Sequence, residues 1–334
     1  MDRIKVSVLI EAIILCADDS ISKIELDNGY SISKVAIEDF SHADEIKNNR
    51  GELISDYYTS KIDNSSFYMI HKADVFYIPA PPIQPHVVYT ISDKLPQVEY
   101  LEEYKDAEFK YLNKLIYMLQ VYKDGNIGLR DIFFKFNYFC LIMNNTYNCK
   151  IEIKDINTIG NNKYHLSETE CLQWKPFFNN NSATSFPLMN KIIEEFSFGL
   201  KQLDYATMFE QFTTALEMIF LKNEGEGKKE MLSKRIAVFI GNNDAEIAQL
   251  YGDMKNYYKY RSDSLHEGKS SNITATEVKA LENITRKCIQ KCFEVCNNEL
   301  LNNPAMSWDE IKIQLIHSLK TIVTSKISAG ILPA

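Results

Sequence analysis

The stretch Tyr260-Arg261-Ser262-Asp263-Ser264-Leu265-His266-Glu267-Gly268 sets an arginine and a histidine on either side of four residues, just ahead of a glycine. A guanidinium stays charged at every physiological pH, whereas an imidazole titrates near neutrality. Together they offer what metal-free cleavage of an RNA chain requires: charge stabilisation on a phosphate and proton transfer at the reacting oxygens. Spacing alone is weak evidence. With six Arg and six His in 334 residues, about one such chain in ten would hold the pair by chance.

The element that would carry the pair reads as a helix. Asn243 with Glu246 forms a capping pattern at its start, and Ile247, Leu250, Met254, Tyr257, Tyr258 and Leu265 follow at helical spacing. Gly268 can take the left-handed conformation that ends a helix, which puts His266 in the last turn, where the helix's negative end favours an imidazolium. Arg261 opposes that preference. Five positions separate the two residues by about 140° around an ideal helix, so they are not stacked neighbours. Convergence needs unwinding at the glycine, or a second copy of the helix supplying the partner groups across a two-fold axis.

Around this helix the sequence changes grammar from about Pro187 onward. Helices are expected over 188–199, 204–221, 228–240 and 243–266. Two more open at the capping pairs Thr274/Glu277 and Ser307/Glu310. Residues 181–334 therefore read as an all-α domain. Residues 1–180 read as a strand-rich, mixed region, giving an α+β chain. Within it, Ser22–Leu26 and Tyr30–Ile37 flank Asp27-Asn28-Gly29 and suggest a hairpin. Short strands are expected at 75–78 and 87–91, and a helix over 102–122 on Phe109, Leu112, Leu115, Ile116 and Leu119. Asp124-Gly125-Asn126 is a turn ahead of the apolar run 133–143. The Asn-rich stretch 157–185 reads as surface loop containing the domain boundary.

Bulk properties exclude several function classes. The formal charge is −8, with 19 Lys/Arg against 26 Asp/Glu in the first 180 residues and 18 against 19 in the rest. A protein gripping duplex nucleic acid along many phosphates is normally more basic, so any RNA must be met in a local site. Met1-Asp2-Arg3-Ile4-Lys5 before Val6–Cys16 imitates a signal peptide, but Glu11 breaks the apolar run, and a buried strand or short helix fits better. No apolar stretch is long enough to span a bilayer, and a cytoplasmic protein with no membrane partner is expected. Cys288, Cys292 and Cys296 recur along one helical face as a core stripe, since three thiols on one helix cannot surround a zinc ion. His42, His71, His86, His165 and His317 show no metal-ligand spacing, and no phosphate-binding glycine loop or nucleophile elbow occurs. No metal and no cofactor are expected.

On these residues the C-terminal half resembles a HEPN domain, and more narrowly its Apea-like branch. The resemblance rests on the R-x4-H from Arg261 to His266 with Gly268 after it, on Ala215-Leu216-Glu217 near the end of an upstream helix, and on Ser233-Lys234-Arg235-Ile236-Ala237-Val238. It covers roughly residues 200–300, with a weaker similarity at 122–134. It implies a metal-independent endoribonuclease, active as a homodimer on single-stranded RNA, often a toxin-like effector in antiviral defence. Arg261 would hold the scissile phosphate, and His266 would be general base or acid for attack by the ribose 2′-hydroxyl. The products would be a 2′,3′-cyclic phosphate and a 5′-hydroxyl. Glu217, Arg235, Ser262 and Asp263 are supporting candidates. The chain departs from the family where many active members carry Asn, Asp or His directly after the arginine; here it is Ser262, which bears on efficiency.

Each candidate also has a plainer explanation. Arg261 and His266 fit a polar helix end. Glu217 fits a solvated position or a buried partner for Arg235 or Arg261, and Arg235 a structural pairing. Asp263 fits helix-end polarity. Tyr257, Tyr258 and Tyr260 fit core or dimer contacts as well as base stacking. The contrasting expectation for the domain is a catalytically inactive HEPN module that binds RNA, nucleotide or a protein. A third is a toxin whose site an antitoxin partner blocks. The N-terminal region would sense a phage-derived or cellular trigger.

Overall fold

A computed structural model describes residues 3–46, 66–80, 97–140, 143–153, 163–222, 227–267, 270 and 272–334. The protein is α+β: a five-stranded antiparallel sheet in its N-terminal part and a run of helices in its C-terminal part. The chain divides into two compact units. The first holds chiefly Met1–Leu119, Gly125–Ile156 and residues up to Lys175, and the second chiefly Gln120–Asp124 and Pro176–Ala334.

In the first unit the strands are β1 (Arg3–Leu15), β2 (Ser31–Ala36), β3 (Ser66–Pro79), β4 (Gly128–Cys140) and β5 (Met143–Glu152), in the spatial order β2-β3-β1-β4-β5. Central β1 explains the apolar run at the start of the chain. Its Ile4, Val6, Val8, Ile10 and Ala12 alternate onto one fully buried face. Helix α1 (Gln97–Tyr122) lies on that face, with Tyr104 stacked at 4.2 Å on Phe76, the residue opposite Val6, and with Leu101, Leu112, Leu115 and Leu119 buried. One cation is buried on this face as well. Lys72 reaches Glu108 of α1 at 2.6 Å and Asp74 at 3.0 Å, while Tyr30 and Tyr104 donate to the same two carboxylates. A buried ammonium is tolerable only when paired in this way.

The other face is covered over half its length. Ile37, Phe40 and Ile46, in the turns after β2, close over Ile13, Phe67, Met69 and Phe133. Beyond Glu11 toward the N-terminus of β1, this face is left open to solvent.

Two expectations for this region are corrected. Asn28 and Gly29 do turn the chain, with φ of 59° and 77°, but Ser22–Leu26 is not a strand. Residues Asp19–Lys23 form a short 3-10 turn instead, and β2 pairs with distant β3, Ser31 opposite His71. The Asn-rich stretch is not all loop, because Glu168–Ser182 is a helix, α2. Ser167 and Glu170 cap it reciprocally at 2.8–3.3 Å, and Cys171, Trp174 and Phe178 bury one face. The strand expected at 87–91 lies outside the described residues.

The second unit contains α3 (Ser185–Leu200), α4 (Tyr205–Phe220), α5 (Lys228–Ile240), α6 (Asp244–Glu267), α7 (Ala275–Asn302) and α8 (Trp308–Ser328). Helix α4 is the hub. Met208, Phe209, Phe212, Leu216, Ile219 and Phe220 are all buried, and it touches each of the other five. Gly199 of α3 lies where a Cβ would sit 2.7 Å from the Phe212 ring, so the absence of a side chain sets that close approach. Cys288, Cys292 and Cys296 are buried along α7, and burial pushes all three thiols up, Cys296 to about 12. Arg286 of α7 is buried and donates to the Gln120 carbonyl at 2.8 Å. Gln290 adds bonds to the Val121 and Tyr122 carbonyls at 2.8 and 2.9 Å. These donors satisfy the last carbonyls of α1, which have no partner within their own helix.

Candidate active site

Helix α6 begins as the sequence suggests. The Asn243 side chain accepts from Glu246 N–H at 3.0 Å, while the Glu246 carboxylate reaches back to the Asn242 N–H at 3.0 Å. Gly241 makes the tight link from α5, since a Cβ there would lie 2.6 Å from the Ala237 carbonyl and from Ile247. The two helices then run side by side.

The apolar face of α6 is buried only at its start. Ile247 and Met254 are enclosed, but from Lys255 to Leu265 no side chain is fully buried. Tyr257, Tyr258 and Tyr260 are half-buried, and Leu265 is 47% exposed. Tyr257 sets its edge against Phe209 of the core at 5.7 Å between ring centres.

Arg261 sits in this stretch and turns toward α4. One of its terminal nitrogens lies 3.2 Å from Oε1 of Glu217, with the two side chains 19% and 24% exposed. Of the two arginines the sequence offered Glu217, the structure pairs it with Arg261. Tyr258, one turn earlier, has its ring centre 5.7 Å from the guanidinium carbon. Burial first, then the Glu217 carboxylate, push the Tyr258 phenol above its ordinary value, with Arg261 pulling the other way. The phenol therefore stays protonated at neutral pH and remains a donor. Neither Nε of Arg261 nor Oε1 of Glu217 is hydrogen-bonded, although both atoms are buried. The pair is held by charge more than by aligned bonds, and the planar donor fork of the guanidinium is not used up by Glu217.

The remaining candidates separate. Arg235 is buried on α5 and donates to the Phe220 carbonyl at 2.5 Å, closing the C-terminal end of α4; Met231 Sδ lies 3.8 Å from its other terminal nitrogen. This is a helix-end anchor. Ser262 and Asp263 are half-buried on α6 beside Arg261. His266 lies in the last turn of α6, one residue before its end at Glu267; its side chain and Gly268 are outside the described residues.

Sequence reasoning missed Tyr258 as part of the arginine's setting. The signal was its i−3 spacing from Arg261, which puts ring and guanidinium on one face. It also missed Arg286, whose partners are backbone carbonyls far away in sequence. Among the described residues no group of three or more His, Cys, Asp and Glu side chains could hold a metal ion, and no helix is long and apolar enough to cross a membrane. No family model, no curated protein and no solved structure matches the chain.

Proposed function

We propose that the helical unit is a metal-independent endoribonuclease of the HEPN type, acting as a toxin-like effector in antiviral, anti-phage defence in the cytoplasm. The observation that carries this reading is the Glu217–Arg261 pair: a cation held from a second helix, on the same helix end that bears His266 five positions later. In this chemistry the 2′-oxygen attacks the adjacent phosphorus, the bond to the 5′-oxygen breaks, and a cyclic phosphate and a 5′-hydroxyl result. Arg261 stabilises the charge that builds on the non-bridging oxygens. His266 takes the 2′-hydroxyl proton or gives one to the leaving oxygen. Glu217 keeps the guanidinium from collapsing onto other acceptors.

A second copy meets the geometry, because Arg261 and His266 diverge by about 140° on a single helix, and Arg261 of one copy can join His266 of the other at one phosphate. The stretch from Lys255 to Leu265, without a fully buried side chain, supports a second copy as its cover. The N-terminal unit would sense the trigger.

The test is cleavage of single-stranded RNA by purified protein in excess EDTA, with DNA of the same sequence as a control. The wild type should cut RNA and leave DNA intact, and His266→Ala should cut neither while keeping its fold. Equal cutting of RNA by wild type and His266→Ala would remove His266 from the chemistry. The same ion pair favours one other reading. If Glu217 neutralises Arg261 permanently, the unit is a non-catalytic HEPN module that binds RNA, nucleotide or a protein, and the wild type cuts nothing under these conditions.

A further inference from the structure

We infer that the open half of the sheet in the first unit binds single-stranded nucleic acid, by stacking bases on Tyr77 and Phe139 and pairing phosphates with Arg3, Lys5 and Lys135. The inference is independent of the nuclease reading and concerns a different surface.

Strand register defines the surface. Lys5 stands opposite Tyr77, Ser7 lies between Val75 and Asn137, and Leu9 lies between Ala73 and Lys135. Paired residues of adjacent strands share a face, so these side chains all lie on the side away from α1. Val6 pairs with Tyr138 on the buried side, which puts neighbouring Phe139 on the open one, flanking Lys5 across from Tyr77. The two rings are two strand spacings apart, about 10 Å.

Three properties pick out the occupant. First, the aromatics are bare: Tyr77 is 58% and Phe139 59% exposed. A sheet face that belonged to the core would cover them, as the cluster around Phe133 is covered farther along the same face. Second, the charge has one sign. On this face, Arg3, Lys5, Ser7 and Leu9 and the residues paired beside them on β3, β4 and β5 include no Asp or Glu; Asp74, opposite Val8, lies on the α1 side. Arg3, Lys5 and Lys135 have no ion-pair partner among the described residues, in contrast to Lys72 and Lys150, which are paired at 2.6 and 2.9 Å. An unpaired basic stripe in the more acidic half of a chain of formal charge −8 points to a polyanion. It also argues against a second copy docking the same face, which would set like charges together. Third, the spaces between cations and rings are filled by small neutral groups, Ser7, Asn137 and Thr146, with Thr146 bonded to Asn137 at 3.0 Å. Among the described residues of this unit nothing there blocks a chain lying flat. Bases accessible on their faces, joined by phosphates, match this pattern; a duplex hides its base faces and does not.

The test is fluorescence anisotropy of the full chain with a labelled oligo(dT) of about twelve nucleotides, a length within the usual range for such platforms. This probe lacks the 2′-hydroxyl, so binding is read apart from any cleavage. Wild type should bind it, and bind a duplex of the same length at least about tenfold more weakly. Tyr77→Ala/Phe139→Ala should weaken binding about tenfold or more, with an unchanged melting temperature because both rings are exposed. Lys5→Gln/Lys135→Gln should flatten the log–log salt dependence by roughly 1.4, about 0.7 for each phosphate that is no longer neutralised. Lys320→Gln, which removes an exposed cation of the helical unit, should bind as wild type. The inference is overturned if the wild type does not bind oligo(dT), if duplex binds equally well, if the aromatic variant binds like wild type, or if Lys320→Gln alone abolishes binding.

Discussion

Glu217 and Arg261 form the residue-scale unit on which the catalytic reading turns. A partly buried ion pair can position a catalytic cation or simply hold two helices together, and the two roles predict different consequences of neutralising the carboxylate. Glu217→Gln keeps size and shape but leaves Arg261 without its charge partner. If Glu217 positions the cation, RNA cleavage should fall by about tenfold, the scale of 1.4 kcal/mol in the barrier, while the melting temperature moves by only a few degrees. If the pair is purely structural, melting shifts and cleavage per folded molecule does not. The partnership was half legible in the sequence. A carboxylate among Phe212, Leu216 and Phe220 needs a cation, but choosing between Arg235 and Arg261 requires the crossing of α4 and α6. Arg235 is taken by the Phe220 carbonyl, a backbone acceptor with no sequence signature.

At the scale of elements, what the sequence conveyed best was what is local. Helix starts at Asn243, Thr274 and Ser307 were readable because a cap involves residues within one turn; Ser307 and Glu310 form both halves of a capping box. The same signal at Ser167 and Glu170 was masked by the surrounding asparagines, whose composition argues for loop. Strand pairing was harder, because the Asn28-Gly29 turn says the chain bends but not that β2 will leave its neighbour and pair with β3. Helix crossings are likewise invisible until built. Gly199 shows this: its sequence context reads as a helix end, yet its lack of a Cβ permits Phe212 of α4 to lie against α3. Gly199→Ala should therefore destabilise the protein by about 1–3 kcal/mol, the usual cost of overpacking, despite the higher helix propensity of alanine. Denaturant unfolding checks this, and an unchanged or raised midpoint would show that α3 can shift away from α4 at little cost.

For the whole molecule, the nuclease reading demands an assembly. Two of the proposed groups sit about 140° apart around one helix, and the last three turns of α6 are incompletely covered. A two-fold dimer that joins Arg261 of one copy to His266 of the other makes a specific expectation. Arg261→Ala and His266→Ala, each inactive alone, should regain about a quarter of wild-type activity when refolded together in equal amounts, since half the dimers are mixed and each mixed dimer has one intact site. No recovery, despite mixed dimers seen by mass spectrometry, would mean that each site draws both groups from one chain or needs all four.

The most direct measurement of the central claim is the chemistry of the cut ends. Single-stranded RNA is incubated with the full chain in excess EDTA, and the fragments are read by mass spectrometry beside those from Arg261→Ala and His266→Ala. The expected result is fragments ending in 2′,3′-cyclic phosphate and beginning with 5′-hydroxyl, absent with either variant. Fragments bearing a 3′-hydroxyl and a 5′-phosphate, or undiminished cutting by either variant, would contradict it.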